Sequence, residues 1–345
     1  MDRRRAFYFD DSGHTFVAGD ALGTSALVAD NDYGVESISA YAEVTVPLTD
    51  ALSVTGGLRY TDEESTIDDQ LMGSPVPNVG SLSLSNDQLT YNAKLTYDSG
   101  DFLAYAGIST GFKSGSLNTG NPGAGQVAPE EITSYEVGFK AGLADQRVRL
   151  SGSLFHYQFE NIQLNVLETN SGVIFLVDGV EADITGAELG IEADISDALT
   201  VFADASYLDA QYNNDAVVVA TGAVQPIAGN DLALAPDFSA SFGLNYSQDL
   251  SSDVSIGARL VGNYNSGYWA DQSNTFGTGG DDDGGFFVAN ASVNVSYQQF
   301  TLTGFINNIF DEEYYIGGFS AAGGLGQLAD LGRPRHFGAR LRFDF

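Results

Sequence analysis

Residues 38–46 read ISAYAEVTV, and this stretch decides the fold. Apolar residues occupy every second position, and more polar residues occupy the positions between them. A period of two places apolar side chains on one face of a β-strand and polar side chains on the other. The alternation repeats in residues 52–60 (LSVTGGLRY) after a break at residues 47–50 (PLTD). The two runs therefore predict antiparallel strands joined by a tight turn.

The same alternation continues along nearly the whole chain and gives about thirteen strands, with residues 3–9 as the remnant of a fourteenth. Further clear runs are residues 89–97, 135–143, 187–195, 238–246, 254–264, 287–297 and 337–345. Short connections fall near residues 49, 99, 144, 197, 250 and 298. Long loops rich in small polar residues lie between them, at about 64–86, 113–130, 161–182, 212–235, 265–285 and 311–334. This strict alternation predicts that the loops share one end of the sheet and the turns the other.

The asymmetry favours a transmembrane antiparallel β-barrel over other all-β folds. An outer-membrane barrel has short periplasmic turns and long extracellular loops, whereas a β-sandwich has no reason to sort them. The mean hydropathy of −0.06 fits such strands, because only alternate residues are apolar. Charged residues at the opposite parity would line a wet lumen; they are Glu43, Arg59, Lys94, Glu136, Lys140, Glu188, Glu192, Asp194, Arg259, Arg340 and Arg342. The competing interpretation is the solvent face of a water-soluble sheet.

The composition excludes several classes of protein. Asp and Glu number 46 against 14 Lys and Arg, a formal net charge of −32, which leaves too few cations for a nucleic-acid-binding surface. Cysteine is absent, which excludes disulfide scaffolds, Cys-ligated metal sites and thiol nucleophiles. The sequence therefore predicts no nucleic-acid partner, no cofactor and no metal site.

Five motifs resemble one known family, and the second and third of them come in the family's own order. They are residues 56–61 (GGLRYT), 103–113 (LAYAGISTGFK), 129–140 (PEEITSYEVGFK), 307–314 (NNIFDEEY) and 332–345 (GRPRHFGARLRFDF). They are similar to the C-terminal part of the barrel of TonB-dependent outer-membrane receptors. The resemblance implies an outer-membrane protein of a Gram-negative cell that takes up a scarce nutrient, such as iron–siderophore or cobalamin, as a small ligand.

The resemblance also implies how the chain is organised. Barrels of these transporters have 22 strands around a plugged lumen, of which about 13–14 are expected here. Residues 1–34 are then an N-terminal loop or remnant strand, and residues 35–345 the C-terminal portion of the barrel. The plug domain, its TonB box and the signal peptide are expected to be missing from this chain. Contact with TonB is therefore expected only through the missing N-terminal plug region.

Other expected partners follow from the last strand and the barrel surface. In this family, the terminal strand is the segment read by the barrel assembly machinery. Its alternate residues are Phe337, Ala339, Leu341, Phe343 and Phe345. The apolar face of such a barrel contacts outer-membrane lipid and lipopolysaccharide.

Aromatic residues at the bases of the outer loops are the candidate ligand contacts. They are Tyr264, Tyr268, Trp269, Tyr314 and Tyr315. Rings at these positions can stack on a sugar or an aryl group of a siderophore. The alternative is that they belong to the aromatic girdle at the membrane surface. The many acids of the outer loops repel anions, which argues against an anionic ferric siderophore.

Two other functions remain open at this stage. One is a passive pore without a plug, closed by about fourteen strands. The other is an outer-membrane enzyme using His156 or His336. Residues 107–111 (GISTG) match the nucleophile-elbow pattern by letters, but that motif requires a strand-to-helix turn, and no helical period follows. We therefore predict a transporter and not an enzyme.

Overall fold

The computed structural model describes residues 2–21, 24–69, 80–118, 125–168, 173–218, 223–279, 284–320 and 327–344. Every regular element within these ranges is a β-strand, as the alternation predicts. No helix long and apolar enough to span a membrane occurs in them.

Twenty strands follow one another along the described chain. They are β1 (Asp2–Ala21), β2 (Thr24–Pro47), β3 (Leu52–Asp69), β4 (Ser81–Asp98), β5 (Phe102–Lys113), β6 (Ser116–Leu117), β7 (Gln126–Val127), β8 (Glu130–Leu143), β9 (Val148–Glu168), β10 (Val173–Ser196), β11 (Leu199–Tyr212), β12 (Ala216–Val218), β13 (Ala223–Gln225), β14 (Phe238–Asp249), β15 (Val254–Asn265), β16 (Phe286–Tyr297), β17 (Phe300–Asn307), β18 (Tyr315–Ser320), β19 (Gln327–Leu331) and β20 (His336–Phe343).

Fourteen of these strands form a single antiparallel sheet. Its order is β1-β2-β3-β4-β5-β8-β9-β10-β11-β14-β15-β16-β17-β20. The remaining six strands form three two-stranded hairpins, β6-β7, β12-β13 and β18-β19, within the long loops. The sheet begins at β1 and ends at β20, and no ladder joins these two strands among the described residues.

The sheet has one apolar face and one polar face. Directly paired residues of antiparallel strands lie on the same side of a sheet. Leu189 lies opposite Gly152, while the adjacent Glu188 lies opposite Ser153 and Ser206. The apolar face carries large exposed side chains, among them Ile38, Leu58, Leu95, Val137, Leu189, Val293 and Leu341. Leu189 is 59% exposed and Val293 58%, which suits a face turned toward lipid.

Turns and loops are sorted to opposite ends of the sheet, as the sequence predicts. Six short turns join β2 to β3, β4 to β5, β8 to β9, β10 to β11, β14 to β15 and β16 to β17. In the first turn, the N–H of Leu48 donates to the carbonyl of Leu52 at 2.7 Å, and the N–H of Leu52 donates to Thr49 Oγ1 at 3.0 Å. In the third, Ala144, Asp145 and Gln146 all have positive φ angles.

Several strands are longer than the sequence pattern predicts. The pattern gives a loop over residues 64–86, yet β3 extends to Asp69 and β4 begins at Ser81. Likewise, β9 and β10 occupy most of the predicted loop 161–182. Apolar alternation is required only where lipid touches the strand, whereas backbone hydrogen bonds can continue in water. The hydropathy pattern therefore does not predict how far a strand extends beyond the part that contacts lipid.

The N-terminal region is also strand. Residues 2–21 and 24–34 lie in β1 and β2, so a ladder rather than a loop occupies this part of the chain. The ladder runs from the pair Asp2–Val44 to the pair Ala21–Thr24. The remnant strand suggested by residues 3–9 is therefore a complete strand of 20 residues.

Candidate functional site

The long loops form a continuous hydrogen-bonded layer over one end of the sheet. The N–H of Leu234 donates to the carbonyl of Trp269 at 2.8 Å. Asn230 Nδ2 donates to the carbonyl of Gln272 at 3.0 Å, and Gln272 Nε2 donates to the carbonyl of Asn165 at 2.9 Å. Three segments that are distant in sequence are thus held against each other. This layer is the surface that a ligand from outside would meet first.

A small hydrophobic core supports the layer above β9, β10 and β11. Val180 is fully buried, and Tyr212 and Ile227 pack into the same cluster. Asp215 holds the covering loop in place, because its Oδ1 accepts hydrogen bonds from the N–H groups of Ile227 and Ala228, both at 3.0 Å. Burial raises the pKa of the Tyr212 phenol. The loop is therefore packed like a protein interior.

The loop between β5 and β8 is fastened by two side-chain amides. Gln163 Nε2 donates to the carbonyls of Ser114 and Ala128, at 2.9 and 3.0 Å. The side chain of Asn118 accepts from the N–H of Leu176 at 2.8 Å and donates to its carbonyl at 3.3 Å. Sequence reasoning did not identify these residues, because their partners lie 35 to 58 positions away.

Tyr268 links two of the long loops. Its backbone exchanges hydrogen bonds with Thr278, and its hydroxyl donates to the carbonyl of Ile316 at 3.2 Å. Burial raises the pKa of the Tyr268 phenol, and the neighbouring Tyr314 adds to the shift. Tyr268 is therefore a structural contact between loops as well as a candidate ligand contact.

Tyr314 and Tyr315 pack on other aromatic rings. Tyr314 stacks on Phe286 with ring centroids 4.5 Å apart, and Gly332 lies so close that an added Cβ would meet the ring at 2.2 Å. Tyr315 meets Phe276 edge to face at 5.8 Å. Phe286 and Gly332 thus both pack against the Tyr314 ring, which leaves its edge and hydroxyl for a ligand.

The last two predicted contacts differ in their surroundings. The indole N–H of Trp269 donates to the Asn274 side chain at 3.1 Å when that amide is oriented to satisfy its neighbours. Tyr264 lies on the apolar face, opposite Ala240, with its ring packed on Phe238 at 6.1 Å. The structure therefore groups Tyr268, Trp269, Tyr314 and Tyr315 in the loop layer and leaves Tyr264 in a girdle position. That they contact a ligand stays a prediction.

The polar face contains a hollow of about 600 Å³, and residues of β5, β8 to β11 and β14 to β16 line it. Its charged lining residues are Glu136, Lys140, Glu188 and Asp204. The hydroxyl of Tyr105 donates to Glu136. The lining is net acidic and offers many hydrogen-bonding groups, as a water-filled lumen requires.

The groups considered for catalysis lie apart from one another in the sheet. The sequence around Ser109 lies within β5, which continues to Lys113 without a turn. His156 contacts Thr185 Oγ1 at 2.9 Å on the apolar face. His336 contacts Asn307 Nδ2 at 2.9 Å and the carbonyl of Pro334 at 3.1 Å. These contacts do not form a serine–histidine pair.

The predicted assembly segment lies at the edge of the sheet. Phe337, Ala339, Leu341 and Phe343 pair with β17 on the apolar face. Phe337 is 81% exposed and Leu341 68%. The ring of Phe343 lies 5.0 Å from that of Phe300. Phe345 lies outside the described residues.

Asn308 fastens the start of the last long loop. It is 2% exposed, and its Nδ2 donates to the carbonyls of Glu312 and Arg333 at 2.9 and 3.1 Å. Its Oδ1 accepts from the N–H of Glu312 at 2.8 Å, and its own N–H donates to Asn290 Oδ1 at 2.9 Å. The motif at residues 307–314 thus has a direct structural role.

Comparisons with known proteins agree with this architecture. Residues 3–309 match the family model described as TonB dependent receptor-like, beta-barrel. The chain is 25% identical over 322 residues to the pesticin receptor of Yersinia enterocolitica. The alignment covers 90% of this chain and 44% of that receptor. It is 23% identical over 261 residues to the probable TonB-dependent siderophore receptor PiuA of Acinetobacter baumannii. That alignment covers 71% of this chain and 33% of PiuA.

A solved structure shows the same fold. The ferric yersiniabactin uptake receptor FyuA from Yersinia pestis superposes with a TM-score of 0.83 at 20% identity, covering 99% of this chain and 50% of that chain. The chain spans less than half the length of the two curated relatives. These relatives are receptors for transport and not enzymes. The chain therefore belongs to the TonB-dependent receptor family, and its fourteen-stranded sheet is part of that family's β-barrel.

Proposed function

We propose that this protein acts in the outer membrane as a receptor that takes up iron bound to a siderophore, a small iron chelator. The observation that carries the proposal is the family match over residues 3–309 together with relatives named as siderophore and ferric yersiniabactin receptors. The geometry supports it. An apolar face suits lipid, a polar face suits a hydrated lumen, and an ordered layer of loops faces the incoming ligand.

The proposal extends to the partners of the protein. The apolar face contacts outer-membrane lipid and lipopolysaccharide. The barrel assembly machinery recognises β20, whose apolar side chains lie along the edge of the sheet. Energy for uptake comes from TonB, which acts on the N-terminal plug region of receptors of this family.

Growth under iron limitation tests the proposal. The complete gene is expressed in a Gram-negative strain without its own siderophore receptors, and ferric siderophores of the hydroxamate, catecholate and carboxylate classes are supplied one at a time. We expect at least one class to restore growth, and we expect the restoration to disappear when TonB is deleted. Restoration of cobalamin-dependent growth alone, or uptake that does not require TonB, contradicts the proposal.

A further inference from the structure

A second hollow, of about 440 Å³, lies at the loop end of β16, β17 and β20. Its polar lining residues include Asn290, Asn307, Tyr314, Arg333 and His336. Asn307 and His336 are paired across β17 and β20, on the side opposite to the apolar pair Ile306 and Phe337. The hollow therefore opens on the polar face, away from lipid and beneath the loop layer.

The hollow contains an uncompensated cation. The guanidinium of Arg333 forms no hydrogen bond or ion pair within the described part of the chain, whereas that of Arg335 pairs with Asp311 at 3.3 Å. Arg342 likewise pairs with Asp344, at 2.7 Å. Acidic residues outnumber basic ones 46 to 14, yet no carboxylate side chain of the described residues lines this hollow. Arg333 is exposed, so water solvates its guanidinium and an anion that enters the hollow can displace that water.

The neighbouring amides add donors. Asn290 Oδ1 accepts the N–H of Asn308 at 2.9 Å, which fixes the orientation of the amide. Its Nδ2 then forms no hydrogen bond within the described ranges. His336 is held on both sides, with Nδ1 on the carbonyl of Pro334 and Nε2 on Asn307 Nδ2. The two contacts hold the ring in one orientation.

Contacts within the protein hold the backbone and one aromatic ring that line the hollow. Asn308 ties the backbone of Arg333 to that of Glu312. Tyr314 is held between Phe286 and Gly332. The amide of Asn290 and the backbone of Arg333 are thus preorganised, which lowers the entropy lost when an anion binds.

We propose that this hollow binds an anionic oxygen group, a carboxylate or a similar oxyanion, of the small ligand. Arg333 provides a bidentate charge-assisted contact of the kind that guanidinium groups form with carboxylates, and Asn290 Nδ2 donates a further hydrogen bond. The identification of that group as part of an iron chelate rests on the proposed function. The site also counters the general repulsion of anions by the acidic loops, because it places one positive charge where the ligand enters.

Calorimetric titration of the full-length receptor in detergent tests the proposal, with citrate as the carboxylate probe and inorganic phosphate as a second oxyanion. We expect the wild-type protein to bind citrate and Arg333→Gln to weaken the binding by about tenfold or more. Arg333→Lys should retain part of the affinity, since it keeps the charge but not the bidentate geometry. Trp269 is the single tryptophan, and its fluorescence provides a second readout.

Arg340→Gln is the matched control. Arg340 lies in β20 opposite Thr303, also forms no ion pair within the described residues, and does not line the hollow. An equal loss of citrate affinity in Arg333→Gln and Arg340→Gln would show only general charge attraction and would overturn the proposal. Absence of binding of both anions to the wild type would also overturn it.

The two proposals fail in distinguishable ways. If ferric siderophores restore growth but Arg333→Gln binds citrate like the wild type, the hollow is not an anion site and the transport function stands. If no ferric siderophore restores growth but citrate binding depends on Arg333, the anion site stands and the proposed substrate is wrong. Gel mobility before and after heating confirms that each variant is folded.

Discussion

Adjacent residues in this chain meet opposite surroundings, because each step along a strand changes the face of the sheet. Leu189 is 59% exposed on the apolar face, while Glu188 lines the acidic hollow of the polar face. Tyr264 lies on the apolar face of β15, whereas the other four predicted ligand contacts lie in the long loops. The sequence left two alternatives for Tyr264, a ligand contact and a girdle position, and its pairing with Ala240 on the apolar face favours the girdle.

Replacing Leu189 by Arg should destabilise the protein much more than replacing Glu188 by Arg. A charge on the lipid face costs about 2–4 kcal/mol near the midplane of the bilayer, whereas a lumenal position tolerates it. The measurement is the free energy of unfolding in lipid vesicles. Equal losses for the two variants would show that the face assignment is wrong.

The phenol of Tyr268 should titrate late. Burial, with Tyr314 adding to it, raises its pKa above the usual value of 10. The folded protein then holds the proton more tightly than the unfolded chain, so this contribution to stability is complete below pH 10 and declines as the pH rises above it. Ultraviolet difference titration of the wild type against Tyr268→Phe isolates this group. A midpoint at or below 10 would contradict the burial that the structure shows.

At the scale of single elements, the apolar alternation of β3 and β4 stops abruptly while their ladder continues. On the apolar face, the pair Tyr60–Leu89 is followed by the pair Asp62–Asp87. Hydrogen bonding continues beyond this point to the pair Asp68–Ser81. The sequence reveals where apolar alternation stops but not where the ladder stops, since backbone bonds depend little on the side chains that water surrounds.

Removing one carboxylate of the pair Asp62–Asp87 should stabilise the sheet. Like charges directly opposite each other on neighbouring strands repel, so Asp87→Asn should increase the free energy of unfolding by about 0.2–1 kcal/mol at low ionic strength with a chelator present. Asp249→Asn is the control, because Asp249 faces Ser255. A gain of the same size in the control would assign the effect to net charge instead.

The last strand should matter for assembly beyond its contribution to stability. Phe343 and Phe300 form one ring pair, 5.0 Å apart, so either alanine substitution removes the same contact. If β20 is read by the assembly machinery, Phe343→Ala should lower the amount of receptor in the outer membrane more than Phe300→Ala does. Spontaneous folding in detergent should be affected alike. Equal membrane levels would argue against recognition of this strand.

At the scale of the whole molecule, the sorting of turns and loops defines the orientation in the membrane. The chain contains no cysteine, so a thiol reagent labels only the single cysteine that is introduced. Cysteine at Asp330, in the last long loop, should react with an impermeant thiol reagent in intact cells. Cysteine at Asp50, in the first short turn, should react only after the cells are permeabilised. The reverse pattern would invert the topology.

The sequence predicted the fold far better than the site. Alternation, turn spacing and motifs sufficed for the two-faced sheet, because these depend on neighbours along the chain. The loop layer depends on contacts such as that between Gln272 and Asn165, 107 residues apart. Arg333 lies in a motif that sequence analysis identified, but its lack of a carboxylate partner becomes visible only when the loops are in place.

The order of the main sheet also has a kinetic consequence. Each strand pairs with the strand that precedes it in the sheet and in the chain, and the three interruptions contain only a short hairpin each. Each ladder can therefore form as soon as the turn or loop between its two strands closes. The entropy lost when one strand is added is that of closing this single local connection. The main sheet can grow by adding one strand at a time to its free edge. Each strand that has paired then offers its unpaired backbone groups to the next strand.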